Sequence, residues 1–131
     1  MDVLIVDDDP VILEILWAVV RKAFEGASPI TVDDLEGAFR WLAHHKPPDL
    51  ALLDLVLPGH AGLDSLMRFR SKFSSVPVVV VSVVDDAESI RLALSAGAVG
   101  YIPKSTPPDA MVAALRQVAA GGIYSPLQRN A

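Results

Sequence analysis

Short β-branched runs alternate along the chain with longer stretches of helical periodicity. The strand-like runs are Val3–Val6, Ile30–Val32, Leu50–Leu53, Val78–Val81 and Val99–Ile102. Nearly every position in them is apolar, which suits strands buried on both faces, as in a parallel sheet. Five helical stretches lie between and after them. Asp9-Pro10 reads as an N-cap and first-turn proline ahead of an apolar stripe of Ile12, Ile15, Leu16, Val19 and Ala23, with Gly26 as a stop. Asp85-x-x-Glu88 and Thr106-x-x-Asp109 resemble capping boxes, the second with Pro107 at the first helical position. Gly97 and the Gly121-Gly122 pair close the fourth and fifth helices. The pattern predicts an α/β fold, (βα)5, in which right-handed crossovers force an open, doubly wound parallel sheet of five strands with helices on both faces. Ligands of such sheets bind beyond the carboxyl ends of the strands, at the switch point in strand order.

The polar chemistry gathers at those ends. Strand one runs into Asp7-Asp8, strand three into Asp54 and strand four into Ser82, and Lys104 follows strand five. Three carboxylates crowded into a low-dielectric pocket repel one another unless one is protonated or a cation sits among them. Hard oxygen donors with no histidine adjacent in sequence favour Mg²⁺, which completes its shell with water and phosphate oxygens. Carboxylates, Mg²⁺, a lysine and a hydroxyl form a phosphoryl-transfer kit, in which positioning and charge neutralisation do most of the catalysis. Asp54 is the natural nucleophile, because a carboxylate can carry a phosphoryl group as an acyl phosphate. Asp9 reads as a helix cap.

Composition narrows the alternatives. The chain's 131 residues and 14.0 kDa amount to one ordinary domain. An apolar content of 52% and a mean hydropathy of +0.42 argue against disorder. The longest apolar stretch, Val76 to Val84, is broken by Pro77 and Ser82 and falls far short of a bilayer span. The opening Met1-Asp2 leads into a strand rather than a secretory leader. A net charge of -5 disfavours binding to a phosphate backbone. The absence of cysteine excludes disulfides, thiolate metal sites and thiol nucleophiles. A cytoplasmic location is compatible with that count.

These residues together resemble the receiver domain of two-component response regulators, a CheY-like (flavodoxin-like) fold. Val6-Asp7-Asp8-Asp9-Pro10 is similar to the family's acidic pair after strand one. The run from Leu52 to Asp64 around Asp54-Leu55-Val56-Leu57-Pro58-Gly59 is similar to the segment around its phosphorylated aspartate. Val81-Ser82 matches the hydroxyl position, and Gly100-Tyr101-Ile102-Pro103-Lys104 matches the switch aromatic and lysine. The resemblance implies that Asp54 takes a phosphoryl group from the phosphohistidine of a sensor histidine kinase. It implies that Asp8, Asp54 and the backbone carbonyl of Val56 ligate Mg²⁺, with Asp7 helping through a water. It further implies that Lys104 and Ser82 bind phosphoryl oxygens while Tyr101 swings inward, remodelling the face of helix four, strand five and helix five.

The tail, an Ala-rich fifth helix followed by Gly121-Gly122-Ile123-Tyr124-Ser125-Pro126, looks like the NarL/LuxR-type subfamily, in which a DNA-binding output domain follows a linker. Residues 1–125 are then the receiver and 126–131 the start of a linker or tail, with no output domain in this chain. The expected partners are a sensor kinase, that output domain in a longer parent protein and, on phosphorylation, a second copy. Membranes and nucleic acid are not expected to contact the receiver itself.

Two positions depart from the family's pattern. Val83 stands where a small residue is common and is expected to narrow access to Asp54. Val56 offers no polar side chain to orient an attacking water, so a long-lived phosphoryl state is expected. Other residues are not recruited: His44 and His45 suit a helix end and solvent, His60 lies in the loop after Asp54, and Arg68, Arg70 and Lys72 read as a solvated basic face. Trp17 and Trp41 read as packing or surface residues, Trp17 with a potential dimer role.

Two rivals remain. In a haloacid-dehalogenase-like phosphohydrolase, Asp7 would be the nucleophile and Asp9 the acid–base, but no acidic pair follows Lys104, the chain has no room for a cap domain and Asp54 would have no role. A phosphorylation-independent pseudo-receiver usually lacks a member of the acid–lysine set, and none is missing here. A glycine-rich phosphate loop after strand one is absent.

Overall fold

A computed structural model describes residues 1–127. The element order is β1 (Asp2–Val6), α1 (Pro10–Ala23), β2 (Ser28–Val32), α2 (Leu35–Leu42), β3 (Leu50–Leu53), α3 (Asp64–Lys72), β4 (Val78–Ser82), α4 (Ala87–Ser95), β5 (Gly100–Pro103) and α5 (Pro108–Ala119). All pairings are parallel and the strand order is β2-β1-β3-β4-β5. The order reverses between β1 and β3, and the carboxyl ends of those two strands open the crevice that such a reversal creates.

Alternation along the strands divides the core. Val3, Ile5, Leu50, Leu52, Val79, Val81 and Ile102 face α1 and α5. Leu4, Val6, Ala51, Leu53, Val78, Val80 and Tyr101 face α2, α3 and α4. A β-strand turns successive side chains to opposite faces, so a run with no polar position fills both layers at once. β2 is the exception: it is an edge strand, partly exposed along its length, and it starts at Ser28-Pro29, two residues before its apolar run.

The caps correct two expectations. α4 is capped by Asp86, not Asp85: the Asp86 carboxylate accepts the Ser89 N–H at 3.0 Å and the Ser89 hydroxyl at 2.8 Å. The short Ser89 side chain folds back onto the cap, a role expected of Glu88. Thr106 does not cap α5. Pro107 precedes another proline, which forces it into extended backbone (ψ 149°), so Pro107 takes the cap position, without a side-chain bond, and Pro108 begins the helix. Asp9 does cap α1, accepting the Val11 N–H at 2.9 Å. The chain after α5 turns back and pairs with β5: the Tyr101 N–H donates to the Tyr124 carbonyl and the Tyr124 N–H to the Val99 carbonyl, both at 3.1 Å. The segment 128–131, part of the expected linker, lies outside the described residues.

Candidate functional site

Asp7 and Asp54 stand one residue beyond the paired ends of two central strands, Val6 and Leu53, and are 1% and 2% exposed. Asp8 lies at the rim, exposed. Carboxylate oxygens of Asp7, Asp8 and Asp54 come within 4.8 Å of one another. Lys104 follows β5 and is fixed by its own backbone, whose N–H donates to the Ser82 carbonyl at 2.8 Å. Its ammonium reaches across β4 to stand 3.0 Å from Asp54 Oδ2 and 2.9 Å from Asp7 Oδ2.

Main-chain donors hold the other carboxylate oxygens. Asp7 Oδ1 accepts the Asp9 N–H at 2.9 Å, and Asp54 Oδ1 accepts the Val56 N–H at 3.1 Å. Asp7 Oδ2 is buried and makes no hydrogen bond, because the nearby ammonium lies off its bonding direction. An unsatisfied buried carboxylate oxygen, beside two further carboxylates, is costly for the protein alone and suits a hard divalent cation. The residues present therefore fit Mg²⁺.

The ionisation balance follows from the same geometry. Burial pushes the Asp7 carboxyl above its ordinary 3.8, against the pull of Lys104 and of the Asp9 N–H. Burial pulls the Lys104 ammonium down, but its close contacts with the Asp7 and Asp54 carboxylates outweigh this and hold it above 10.5. Three acids face one cation, leaving an excess of negative charge at the rim.

Ser82 is fully buried at the end of β4, and its hydroxyl accepts the Val84 N–H at 3.2 Å. Tyr101, also fully buried, donates its phenolic proton to the Val84 carbonyl. It thus occupies the inward position, and it and Ser82 both bond the main chain of Val84. Burial keeps the phenol above 10.0, so it remains a donor. Val56 and Val83 flank the crevice with exposed side chains.

The structure departs from the sequence reading around these residues. Ser65 carries no sequence motif, yet its buried hydroxyl donates to the Asp54 carbonyl at 3.2 Å. A serine beside Leu66 and Phe69 on a buried helix face was the available signal. His60, left aside, has a side chain only 8% exposed; its Nδ1 bonds the Asp64 carboxylate and its Nε2 lies 3.7 Å from Glu36 Oε2. Arg70 does not belong to a freely solvated face, since its guanidinium packs against Gly97. Lys72 sits over the Phe39 ring. His44 and His45 lie past the end of α2, and His45 stacks on Trp41. Asp9, engaged in its cap, is not aimed at the crevice as an acid–base, which removes support for the phosphohydrolase alternative.

A doubly wound receiver sheet with an acidic triad and a lysine at its switch point is a family signature, and comparison with known proteins agrees. The chain belongs to the response regulator receiver domain family, whose model matches residues 3–116, and within it to the NarL/LuxR type. It is 37% identical over 124 residues to the glycerol metabolism activator of Pseudomonas putida, covering 95% of this chain and 56% of that protein. It is 38% identical over 123 residues to the nitrate/nitrite response regulator protein NarL of Escherichia coli K12, covering 91% and 55%. A LuxR family DNA-binding response regulator from Silicibacter pomeroyi superposes with a TM-score of 0.84 at 32% identity, covering 97% of this chain and 98% of that one. The chain spans just over half the length of these two curated relatives. Among the described residues no helix is long and apolar enough to cross a membrane.

Proposed function

We propose that Asp54 is the phosphoacceptor and that a sensor histidine kinase supplies the phosphoryl group in the presence of Mg²⁺. In this reading an Asp54 carboxylate oxygen attacks phosphorus in line with the N–P bond of a phosphohistidine. The O–P bond forms, the N–P bond breaks, and the imidazole leaves with its electron pair and takes up a proton. Asp7, Asp8, Asp54 and the Val56 carbonyl would hold the cation, whose charge would neutralise the developing phosphoryl oxygens. Lys104 is poised to exchange its contact with Asp54 for one with a phosphoryl oxygen, and the Ser82 hydroxyl is positioned to give up the Val84 N–H for another. That exchange at Ser82 would reach Tyr101 through Val84, whose N–H and carbonyl the two side chains share. Water attacking the same phosphorus would reverse the modification. The single observation that carries the reading is the Asp7–Asp8–Asp54 cluster with one buried oxygen left unsatisfied.

We place the domain in the cytoplasm, in front of a DNA-binding transcriptional output, by analogy with the relatives' names and lengths. A homodimer on phosphorylation belongs to the same proposal. The test is the intact mass of the protein after incubation with Mg²⁺ and either acetyl phosphate or a phosphohistidine donor, with Asp54→Ala alongside. A gain of one phosphoryl group in the parent alone is expected. No gain with either donor, or an equal gain in Asp54→Ala, overturns it.

A further inference from the structure

The loop between β3 and α3 carries Val56, and both of its limbs are tied to consecutive residues of α3. Ser65 holds the Asp54 carbonyl at the near limb. Asp64 holds the imidazole of His60 at the far limb. Between them, Leu57-Pro58-Gly59-His60 forms a turn closed by the His60 N–H on the Leu57 carbonyl at 3.0 Å, with Gly59 at φ +79°. Proline at the second position and a left-handed glycine at the third define a type II turn, a stiff unit. Leu57 is buried on one side of it and His60 on the other, so the turn moves only if both side chains leave their places.

The His60 contacts differ from ordinary packing. One ring nitrogen bonds Asp64 in the first turn of α3 and the other faces Glu36 in the first turn of α2. A ring with a polar partner on each nitrogen has its orientation fixed, as a hydrocarbon filling the same space would not. We propose that His60 is a positioning residue for the cation: with Asp64 and Glu36 it anchors the far limb of the loop and thereby fixes the main chain of Val56 beside Asp54. The inference rests on the reading of this crevice as a Mg²⁺ site and extends it to a residue that touches neither the metal nor the phosphoryl group.

The experiment measures Mg²⁺ affinity by isothermal titration calorimetry, with thermal unfolding of each variant as the check on folding. His60→Leu fills the space without a polar atom, and His60→Gln keeps a donor for Asp64. His60→Leu is expected to weaken Mg²⁺ binding about ten-fold, the lower end of the effect of groups behind a metal's direct ligands. His60→Gln should recover most of that loss. Asp64→Ala, a change at a half-exposed side chain compatible with folding, should weaken binding to a similar extent, and the His60→Leu/Asp64→Ala double variant should lose no more than the worse single variant. Parent-like affinity in His60→Leu or Asp64→Ala, or equal loss in His60→Leu and His60→Gln, overturns the role of His60 and leaves the metal site standing. Absence of Mg²⁺ binding in the parent overturns the metal site itself, and the inference with it.

Discussion

The Lys104 ammonium lies as close to Asp7 as to Asp54, 2.9 Å against 3.0 Å, so one cation is shared by two buried carboxylates. Both distances are those of close ion pairs, but only the contact with Asp54 has hydrogen-bond geometry. The lysine is thus oriented by the residue it is proposed to serve and neutralises only part of the charge around it. Its ammonium is held above 10.5, so the native state keeps this proton more tightly than the unfolded chain. Its contribution to stability is complete below pH 10.5 and is lost as pH rises through the raised value.

Asp7 has the opposite sign. A carboxyl held above 3.8 is a group the fold prefers neutral, so the Mg²⁺-free protein gains stability as pH falls from neutrality through that raised value. Asp7→Asn should therefore stabilise the Mg²⁺-free protein at pH 7 by about 1 kcal/mol, as replacement of a strained buried charge often does. The same change should weaken Mg²⁺ binding. Urea unfolding with and without Mg²⁺ checks both arms, and an Asp7→Asn protein less stable than its parent without the metal contradicts the argument.

Val83 projects from the rim with 68% of its surface exposed, immediately after Ser82. Val83→Ala should speed loading of Asp54 by acetyl phosphate, a small donor that must pass that rim, with little effect on stability. The rate of mass gain measures it, and an unchanged rate means that Val83 does not govern entry.

Val56 is half-exposed two residues after the proposed phosphoacceptor and has no polar atom in its side chain. The phosphorylated protein should decay over minutes or longer, and Val56→Asn, which can orient a water, should shorten its half-life several-fold. Decay of the parent within seconds excludes this account.

Gly97 has φ +106°, and a Cβ built there would lie 2.4 Å from Nε of Arg70. Gly97→Ala should cost about 2 kcal/mol through backbone strain and displacement of the guanidinium. In an Arg70→Ala background the cost should shrink to the backbone part, the non-additivity expected of touching residues. Urea midpoints of the four proteins decide the matter.

Much of this arrangement is legible in the residues themselves, because it depends on the period of the chain. β3 spans the apolar run Leu50–Leu53 without change, and β1 and β4 extend theirs by one residue. Aspartates and a lysine at the ends of such runs stand out, since the topology of a parallel sheet carries them to one rim. β2 begins two residues ahead of its apolar run, at Ser28-Pro29, a pair with loop character whose proline an edge strand tolerates. The caps of α4 and α5 each fall one residue later than the sequence pattern suggests: α4 because Asp85 and Asp86 are equally suited to the role, α5 because the Pro107-Pro108 pair delays the first helical residue. Ser65, His60 and Tyr124 could not be found in this way. Each acts on a partner whose approach is set by the packing of separate elements: α3 on β3, the turn on two helices, the tail on β5.

The pairing of Tyr124 with β5 bears on how copies of the domain can associate. Its sheet ends at β2 and β5, and an uncovered sheet edge is a template on which another chain can add a strand. Tyr124 takes up the Tyr101 N–H and the Val99 carbonyl on the β5 side, while Pro29 withholds a donor in β2. Both borders are thereby made poorer templates for strand addition, a safeguard for a chain whose residues are 52% apolar.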